Sequence, residues 1–286
     1  MTRLRVEATA GRVLVQDLGR PGFAHLGVAA SGALDRGALA LANRLVGNPD
    51  AHAGLEVVLG GLRFVPDADT WFAVAGAWGS VRVAGHEVGP YRAARARAGE
   101  PVELAPADRG LRYLVAVRGG LDESPVLGSR SRDTLSGIGP EPVEAGRILA
   151  VGPEPAASVP LLDDDAAWPP PLGAVTLGLL PGPRADWLTP GALAALHESS
   201  WRVSASADRV GARLEGPALE RRVARELVSE PTVPGAVQVT GAGVPTVLLA
   251  DRPVTGGYPV VAIVEPASLD RLAQVRPGQA VRFRHA

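Results

Sequence analysis

The sequence predicts a mainly β protein with a few helices, built as two domains related by internal duplication. Short apolar runs alternate with Gly- and Pro-rich turns along most of the chain, the pattern of closed or sandwiched β domains. Between residues 152 and 173 the composition shifts: six prolines, the run Asp163-Asp164-Asp165 and then Pro169-Pro170-Pro171 mark a linker. Motifs of the first half also recur in the second. Ser31-x-x-x-Asp35-Arg36 returns as Ser204-x-x-x-Asp208-Arg209 at an offset of 173, and Glu56 with Gly61 returns as Glu230 with Gly235 at 174. Arg97-x-Gly99-x-x-Val102-x-Leu104 returns as Arg276-x-Gly278-x-x-Val281-x-Phe283 at 179. The implied division is a first β domain over 1–155, a Pro/Asp-rich linker over 156–172 and a second β domain over 173–286, with a period too long for a solenoid.

The central stretch is 16–61. Val13, Leu14 and Val15 form an apolar run suited to a buried strand, which Gly19-Arg20-Pro21-Gly22 then turns. Leu34, Ala38, Leu41 and Leu45 recur at helical spacing, with Ser31 at the N-cap position and Asp35 in the first turn, where the helix dipole favours a carboxylate. Gly47-Asn48-Pro49 ends that helix, Glu56 to Leu59 make the next strand, and Gly60-Gly61 the next turn. Strands follow over 70–75 and 111–117, with a hairpin over 79–89 and a short run at 101–104. In the second half Thr189-Pro190 reads as an N-cap followed by Pro at the first helical position, leading into a helix over 191–197. A strand is expected over 260–264.

Composition removes several chemistries. A hydrophobic fraction of 46% supports a real core, and aromatics at 4% make it a core of Val, Leu and Ala. The net charge of −1 gives no footprint for nucleic acid or an anionic membrane. There is no cysteine, hence no disulfide or thiolate, and all 29 basic residues are Arg. Without Lys the chain can carry no Walker A loop, no Schiff base and no biotinyl-lysine. The five histidines stand apart, no G-x-S-x-G occurs, and no metal-ligand spacing is present. The N-terminus lacks the apolar core of a signal peptide, so the cytoplasm is expected.

The blocks Q-D-L-G-R-P-G (16–22), S-G-A-L-D-R (31–36), L-A-N-R-L-V-G-N-P (41–49) and L-E-V-V-L-G-G (55–61) resemble the allophanate hydrolase subunit 2 family, also called the biotin-dependent carboxyltransferase-like family. V-A-V-R-G-G-L-D (115–122), V-L-G-S-R-S-R-D (126–133), L-P-G-P-R-A-D-W (180–187), S-A-D-R-V-G-A-R-L-E-G-P-A-L (206–219) and L-A-D-R-P-V-T-G-G-Y-P (249–259) extend the resemblance over essentially the whole chain. One departure is Pro253, where the family pattern has Gln. The resemblance implies two cyclophilin-like β-barrel domains. It also implies one component of an ATP-dependent 5-oxoprolinase complex that opens 5-oxoproline to glutamate. Its partners there would be a B-type subunit of the kinase-inhibitor family and an A-type subunit, a hydrolase. ATP would then sit in a non-Walker site of the complex, with no covalent biotin on this chain. Two other readings stay open: the carboxyltransferase component of a biotin-dependent urea carboxylase or urea amidolyase system, and a non-enzymatic regulator that binds a kinase inhibitor.

No catalytic residue is identifiable from the sequence. What stands out are Asp-Arg pairs beside Gly-rich turns, since Arg offers a planar fork for carboxylate or phosphate and a nearby Asp can hold that fork. The expected substrate-binding set is Asp35, Arg36, Arg130, Asp251, Arg252, Gly256 and Gly257. Gln16, Asp17, Arg20, His25, Glu56, Asp208, Arg209 and Tyr258 are expected in partner or structural roles. Residues 128–133 form the loop most hospitable to an anion, combining hydroxyls, two guanidiniums and backbone freedom. For each pair the plainer account is a salt bridge stitching loop to barrel.

Overall fold

A computed structural model of the chain describes residues 2–160 and 169–286. The expected linker lies partly outside the described residues, its run Asp163-Asp164-Asp165 included. The protein is mainly β, with three α-helices among the described residues, and it separates into two compact units. The first comprises 1–20, 35–132 and 137–170; the second comprises 21–34, 133–136 and 171–286. Two short segments from the first half of the sequence therefore belong to the second unit.

The first unit places two antiparallel sheets around one core. One runs in the order Ile148–Ala150, Arg3–Thr9, Leu62–Pro66, Val102–Leu104, Val81–Val83, His86–Glu87. The other runs Val13–Gln16, Gly54–Val58, Arg109–Val117, Thr70–Trp78, Ala93–Ala96. Leu4, Val6 and Phe64 from the first sheet meet Val15, Leu55, Phe72 and Val115 from the second, and Phe64 meets Phe72 edge-on at 6.2 Å. This is the aliphatic core that the low aromatic content requires. Helix α1 (Arg36–Leu45) lies against Thr70–Trp78 and Arg109–Val117 through Ala38, Leu39, Ala42 and Leu45. Leu41, assigned from its spacing to the buried stripe, is only half-buried, and Leu39 takes its place. The helix also starts later than its spacing implied: Asp35 is the N-cap, accepting from the Ala38 N–H at 2.8 Å. Ser31 sits four residues upstream in a left-handed conformation, φ 54°, committed to a different task described below.

The second unit is a closed barrel of seven strands: Val175–Pro181, Val260–Val264, Ala236–Val239, Pro245–Leu248, Gly211–Glu215, Trp201–Val203 and Ala280–His285. It closes through a parallel pairing of first and last strands, Leu177 opposite Phe283, while the other neighbours are antiparallel. Closure removes the exposed edges that open sheets must otherwise protect. Trp201, fully buried, fills the core beside Leu177, Val237 and Val281, and its indole N–H donates to the Leu196 carbonyl at 3.0 Å. Helix α2 (Pro190–Glu198) begins as expected, with Thr189 accepting from the Ala192 N–H at 3.2 Å and Pro at the first turn. Helix α3 (Pro266–Ala273) packs on Val175–Pro181. Outside the barrel, Glu230–Pro231 pairs with Thr255–Gly256 as a two-stranded ribbon.

The duplicated motifs differ in what they build. Gly99 and Gly278 both have φ near 80° in turns where the residue two before accepts from the N–H of the residue after; in both, that next residue's side chain accepts back from the first residue's N–H. Both turns lead into strands whose Val102 and Leu104, or Val281 and Phe283, are buried. That positive φ, favourable for Gly and strained for other residues, explains why the glycine spacing repeats. Asp35 and Asp208 are not equivalent in this way. Asp35 opens a helix, whereas Asp208 accepts from the Val210 and Gly211 N–H groups in the turn before Gly211–Glu215.

Candidate functional site

In the first unit the loop 126–133 does bind an anion, and that anion is Asp17. The Asp17 carboxylate, 7% exposed, accepts from the Gly19 N–H at 2.7 Å and from the Ser129 hydroxyl, the Ser131 hydroxyl and the Arg130 N–H, each at 2.6 Å. Ser131 Oγ in turn accepts from the Asp17 N–H at 2.9 Å. The fully buried Arg20 donates to the carbonyls of Val126 and Ser131, and Gln16 donates through Nε2 to the Arg132 carbonyl at 2.8 Å. Donors that could have cradled a ligand phosphate are thus turned inward. Arg130 forms a half-exposed pair with Asp122 at 3.0 Å. Arg132 turns its Nη1 to the Gly137 and Gly139 carbonyls and to Glu141.

Asp208 and Asp251 sit in turns, and each bonds to groups other than the Arg that follows it in sequence. Asp251, fully buried, is held by Arg209 in a bidentate bridge, Nε to Oδ2 at 2.8 Å and Nη2 to Oδ1 at 3.1 Å. It also accepts from the Ser31 hydroxyl at 2.6 Å and from the Thr134 hydroxyl and N–H at 2.8 and 2.9 Å. Arg209 Nη2 donates further to the Gly32 carbonyl at 2.6 Å. These bonds give segments 21–34 and 133–136 their place in the second unit, and they occupy Ser31 away from the helix start. Burial works hardest against ionisation of Asp251, but the Arg209 charge and the hydrogen bonds from Arg209, Ser31 and Thr134 outweigh it and hold the carboxyl below the usual range.

Arg252 is left without a carboxylate among the described residues. Its side chain is buried, 8% exposed, and Nη2 donates to the Thr232 carbonyl at 3.3 Å while Nε and Nη1 meet no acceptor among them. Burial alone pushes this guanidinium below its ordinary value. Around it run Thr232, whose hydroxyl donates to the Pro253 carbonyl at 2.5 Å, and the ribbon of Glu230–Pro231 with Thr255–Gly256. Gln238 donates through Nε2 to the Tyr258 carbonyl at 3.2 Å. A Cβ on Gly256 would come within 2.6 Å of that amide nitrogen, so a larger residue there would require the Gln238 side chain to move. A Cβ on Gly257 would meet only the Leu227 carbonyl oxygen, at 3.5 Å, among the described residues.

The other expected residues have local roles. Arg36 donates to the Leu18 carbonyl at 2.7 Å, and His25 Nδ1 lies 3.1 Å from the Gly22 carbonyl in an exposed turn. Glu56, expected in a partner or structural role, is buried in mid-strand with Arg112 of the adjacent strand at 3.6 Å. Tyr258 is exposed. Of the substrate-binding set, Asp35, Arg36 and Arg130 belong to the first unit, and Asp251, Arg252, Gly256 and Gly257 to the second. Thr232 and Gln238 carried no sequence signal, since only the strand pairing brings them to Gly256. Tyr91 was missed as well. It has φ 62°, stacks on Trp78 at 5.7 Å and donates to the Gly76 carbonyl at 2.5 Å. Burial first and the Asp35 charge second raise its hydroxyl above the ordinary value.

The model of the family described as "Carboxyltransferase domain, subdomain A and B" matches residues 26–285. The chain is 37% identical over 271 residues to the C subunit of 5-oxoprolinase from Escherichia coli (strain K12), covering 94% of this chain and 86% of that protein. It is 34% identical over 274 residues to the 5-oxoprolinase C subunit of Haemophilus influenzae, covering 95% and 87%. Urea amidolyase of Saccharomyces cerevisiae is 27% identical over 315 residues, but these make up only 16% of that protein. Among solved structures, TTHA0988 superposes with a TM-score of 0.89 at 38% identity, and the match spans 99% of this chain but only 56% of that one. Urea amidolyase of K. lactis superposes at 0.94 with 24% identity over 18% of its length, a likeness of fold.

Proposed function

The chain belongs to the carboxyltransferase domain family, subdomains A and B, and from that premise we propose that it is the C subunit of an ATP-dependent 5-oxoprolinase. In this role it has no turnover of its own. Together with a B-type partner and an A-type hydrolase it converts 5-oxoproline to glutamate in the cytoplasm. The observation that carries the reading is the 37% identity running over nearly the full length of both this chain and the E. coli protein.

A lactam carbonyl is a poor electrophile, and ATP would activate it by phosphorylating its oxygen, with ADP released. Water can then add at carbon and the C–N bond can break as a proton passes to nitrogen; a second water then releases inorganic phosphate from the resulting acyl phosphate. The chain's own contribution is binding and orientation. It has no Lys, and the loop most suited to phosphate is spent on Asp17, so this loop does not fit a triphosphate. In the second unit Arg252 is a buried guanidinium with no carboxylate partner among the described residues.

The test is reconstitution with the two partner proteins, following glutamate and ADP formed on addition of 5-oxoproline. Coupled formation of both, absent with any one component omitted, is the expected result. ATP turnover that depends on urea and a biotinylated carrier, with none on 5-oxoproline, would assign the chain to the urea carboxylase branch.

A further inference from the structure

We infer that Arg252, with Thr232 and the Gly256-Gly257 backbone, forms a carboxylate-binding subsite in the second unit, and that its ligand is the carboxylate of 5-oxoproline. The identity of the ligand rests on the function proposed above; the subsite itself rests on geometry.

A guanidinium at 8% exposure cannot relieve its position by losing a proton, as a buried Lys can, so its charge needs a counter-charge or a full set of acceptors. The described residues supply neither. Its sequence neighbour Asp251 is turned away and consumed by Arg209, Ser31 and Thr134. Glu230, on the ribbon strand that pairs with Gly256, is consumed by Arg184. The acceptor that Arg252 does meet is neutral, the Thr232 carbonyl at 3.3 Å, which leaves Nε and Nη1 both unpartnered among the described residues. Nη2 keeps a second proton, so either Nε or Nη1 can combine with it in the planar two-point grip that suits a carboxylate.

The surroundings favour a monoanion over a polyphosphate. The subsite offers a single guanidinium, which matches one negative charge, because Asp251 and Glu230 each already occupy the Arg that pairs with them. The glycines supply the approach: Gly256 lets the Gln238 amide lie against the backbone, and at Gly257 a Cβ would meet the Leu227 carbonyl oxygen at 3.5 Å and no other of the described residues within 4 Å. Urea carries no carboxylate, whereas 5-oxoproline carries one on the ring carbon next to its nitrogen. The subsite thereby gives 5-oxoproline a contact that urea lacks.

The test compares Arg252→Met, which keeps the length of the side chain, with Arg252→Gln and Arg252→Lys. The melting temperature of the full chain is followed with L-5-oxoproline, with 2-pyrrolidinone (the same lactam without its carboxylate) and with inorganic phosphate, against sodium chloride at equal ionic strength. In the wild type, 5-oxoproline is expected to raise the melting temperature and 2-pyrrolidinone to leave it unchanged. The rise is expected to vanish in Arg252→Met and Arg252→Gln and to return in part in Arg252→Lys. In the assembled complex KM for 5-oxoproline should rise on the order of tenfold or more in the Met and Gln variants, with a smaller change in kcat. A rise that persists in Arg252→Met, or no rise in the wild type together with an unchanged KM in Arg252→Gln, overturns the subsite. An Arg252-dependent rise with phosphate and none with 5-oxoproline overturns the carboxylate assignment. A complex inactive on 5-oxoproline, with the Arg252-dependent rise intact, would defeat the proposed activity and leave the subsite standing.

Discussion

Asp17 in the first unit and Asp251 in the second are both withdrawn from solvent, and both gather loops that lie far apart in sequence. Their chemistry differs. Asp17 is stabilised by neutral donors, two hydroxyls and two backbone N–H groups. Asp251 is stabilised by a guanidinium, with the Ser31 and Thr134 hydroxyls and the Thr134 N–H completing its shell. Oriented dipoles can hold a buried carboxylate without a cation, provided the loop supplies enough of them. Where a cation is used instead, its removal leaves an uncompensated charge. The difference also accounts for Arg252, since the carboxylate beside it in sequence already has its cation.

Removing Arg209 is therefore expected to produce the largest effect. Arg209→Met leaves the Asp251 charge buried and should cost about 3–5 kcal/mol in urea denaturation. The double variant Arg209→Met/Asp251→Asn should recover much of that loss, because no charge then remains stranded. The pH dependence has a definite sign. The folded-state pKa of Asp251 is depressed, so its contribution is complete above the unfolded value, about 4, and is lost as pH falls toward the lower folded value. Wild type should lose stability over that acid range, and Asp251→Asn should show a flatter profile. A single Arg209→Met variant as stable as wild type would end the contrast between the two aspartates.

Asp17→Ala should rank next. It strands the Ser129 and Ser131 hydroxyls and the Gly19 and Arg130 N–H groups, and a buried donor left without an acceptor costs about 1–3 kcal/mol. Since part of this loop can turn to water, the total should fall below the loss in Arg209→Met. The loop 126–133 should then exchange its amide hydrogens faster, which hydrogen exchange reads residue by residue. If those amides keep their protection, Asp17 is not what orders the loop.

These two clusters also mark how far the sequence could be read. Val13–Gln16, Val260–Val264 and helix α2 were legible because each is set by local rules, an apolar run or a cap, while Gly99 and Gly278 were visible only as a repeated spacing whose turns the structure supplies. Most residues of the Asp17 and Asp251 clusters stood out in some way, though Thr134 did not, and who pairs with whom was not visible. Asp251 lies next to Arg252 in the chain and bonds Arg209 and Ser31, because the fold of the second unit brings loops distant in sequence against its turn. Ser31 as a helix cap was a reasonable local reading that a long-range hydrogen bond overrode. Thr232 and Gln238 had no pattern to reveal them.

Arg130→Ala should have the smallest effect on stability and separates the backbone role of this residue from that of its side chain. The side chain pairs with Asp122 at about one-third exposure, where such pairs are worth about 0.2–1 kcal/mol at most. The bond to Asp17 comes from the backbone N–H, which alanine keeps. Denaturation should thus move by less than about 0.5 kcal/mol once solvent screening is counted, against the larger loss in Asp17→Ala. A second readout makes the small effect specific. His52 titrates below its ordinary value, burial being the first cause and the Arg130 charge the second. Without that charge its pKa should rise toward the ordinary value in a histidine NMR titration, while the burial contribution stays. A depressed folded pKa means that wild type loses stability as pH falls through the unfolded value, about 6.5, because the unfolded chain takes up the proton more readily. Arg130→Ala should lessen that loss. A His52 titration unmoved by the substitution would show that the Arg130 charge does not reach the imidazole, and a collapse in stability would show that the side chain, not the backbone, holds the loop to Asp17.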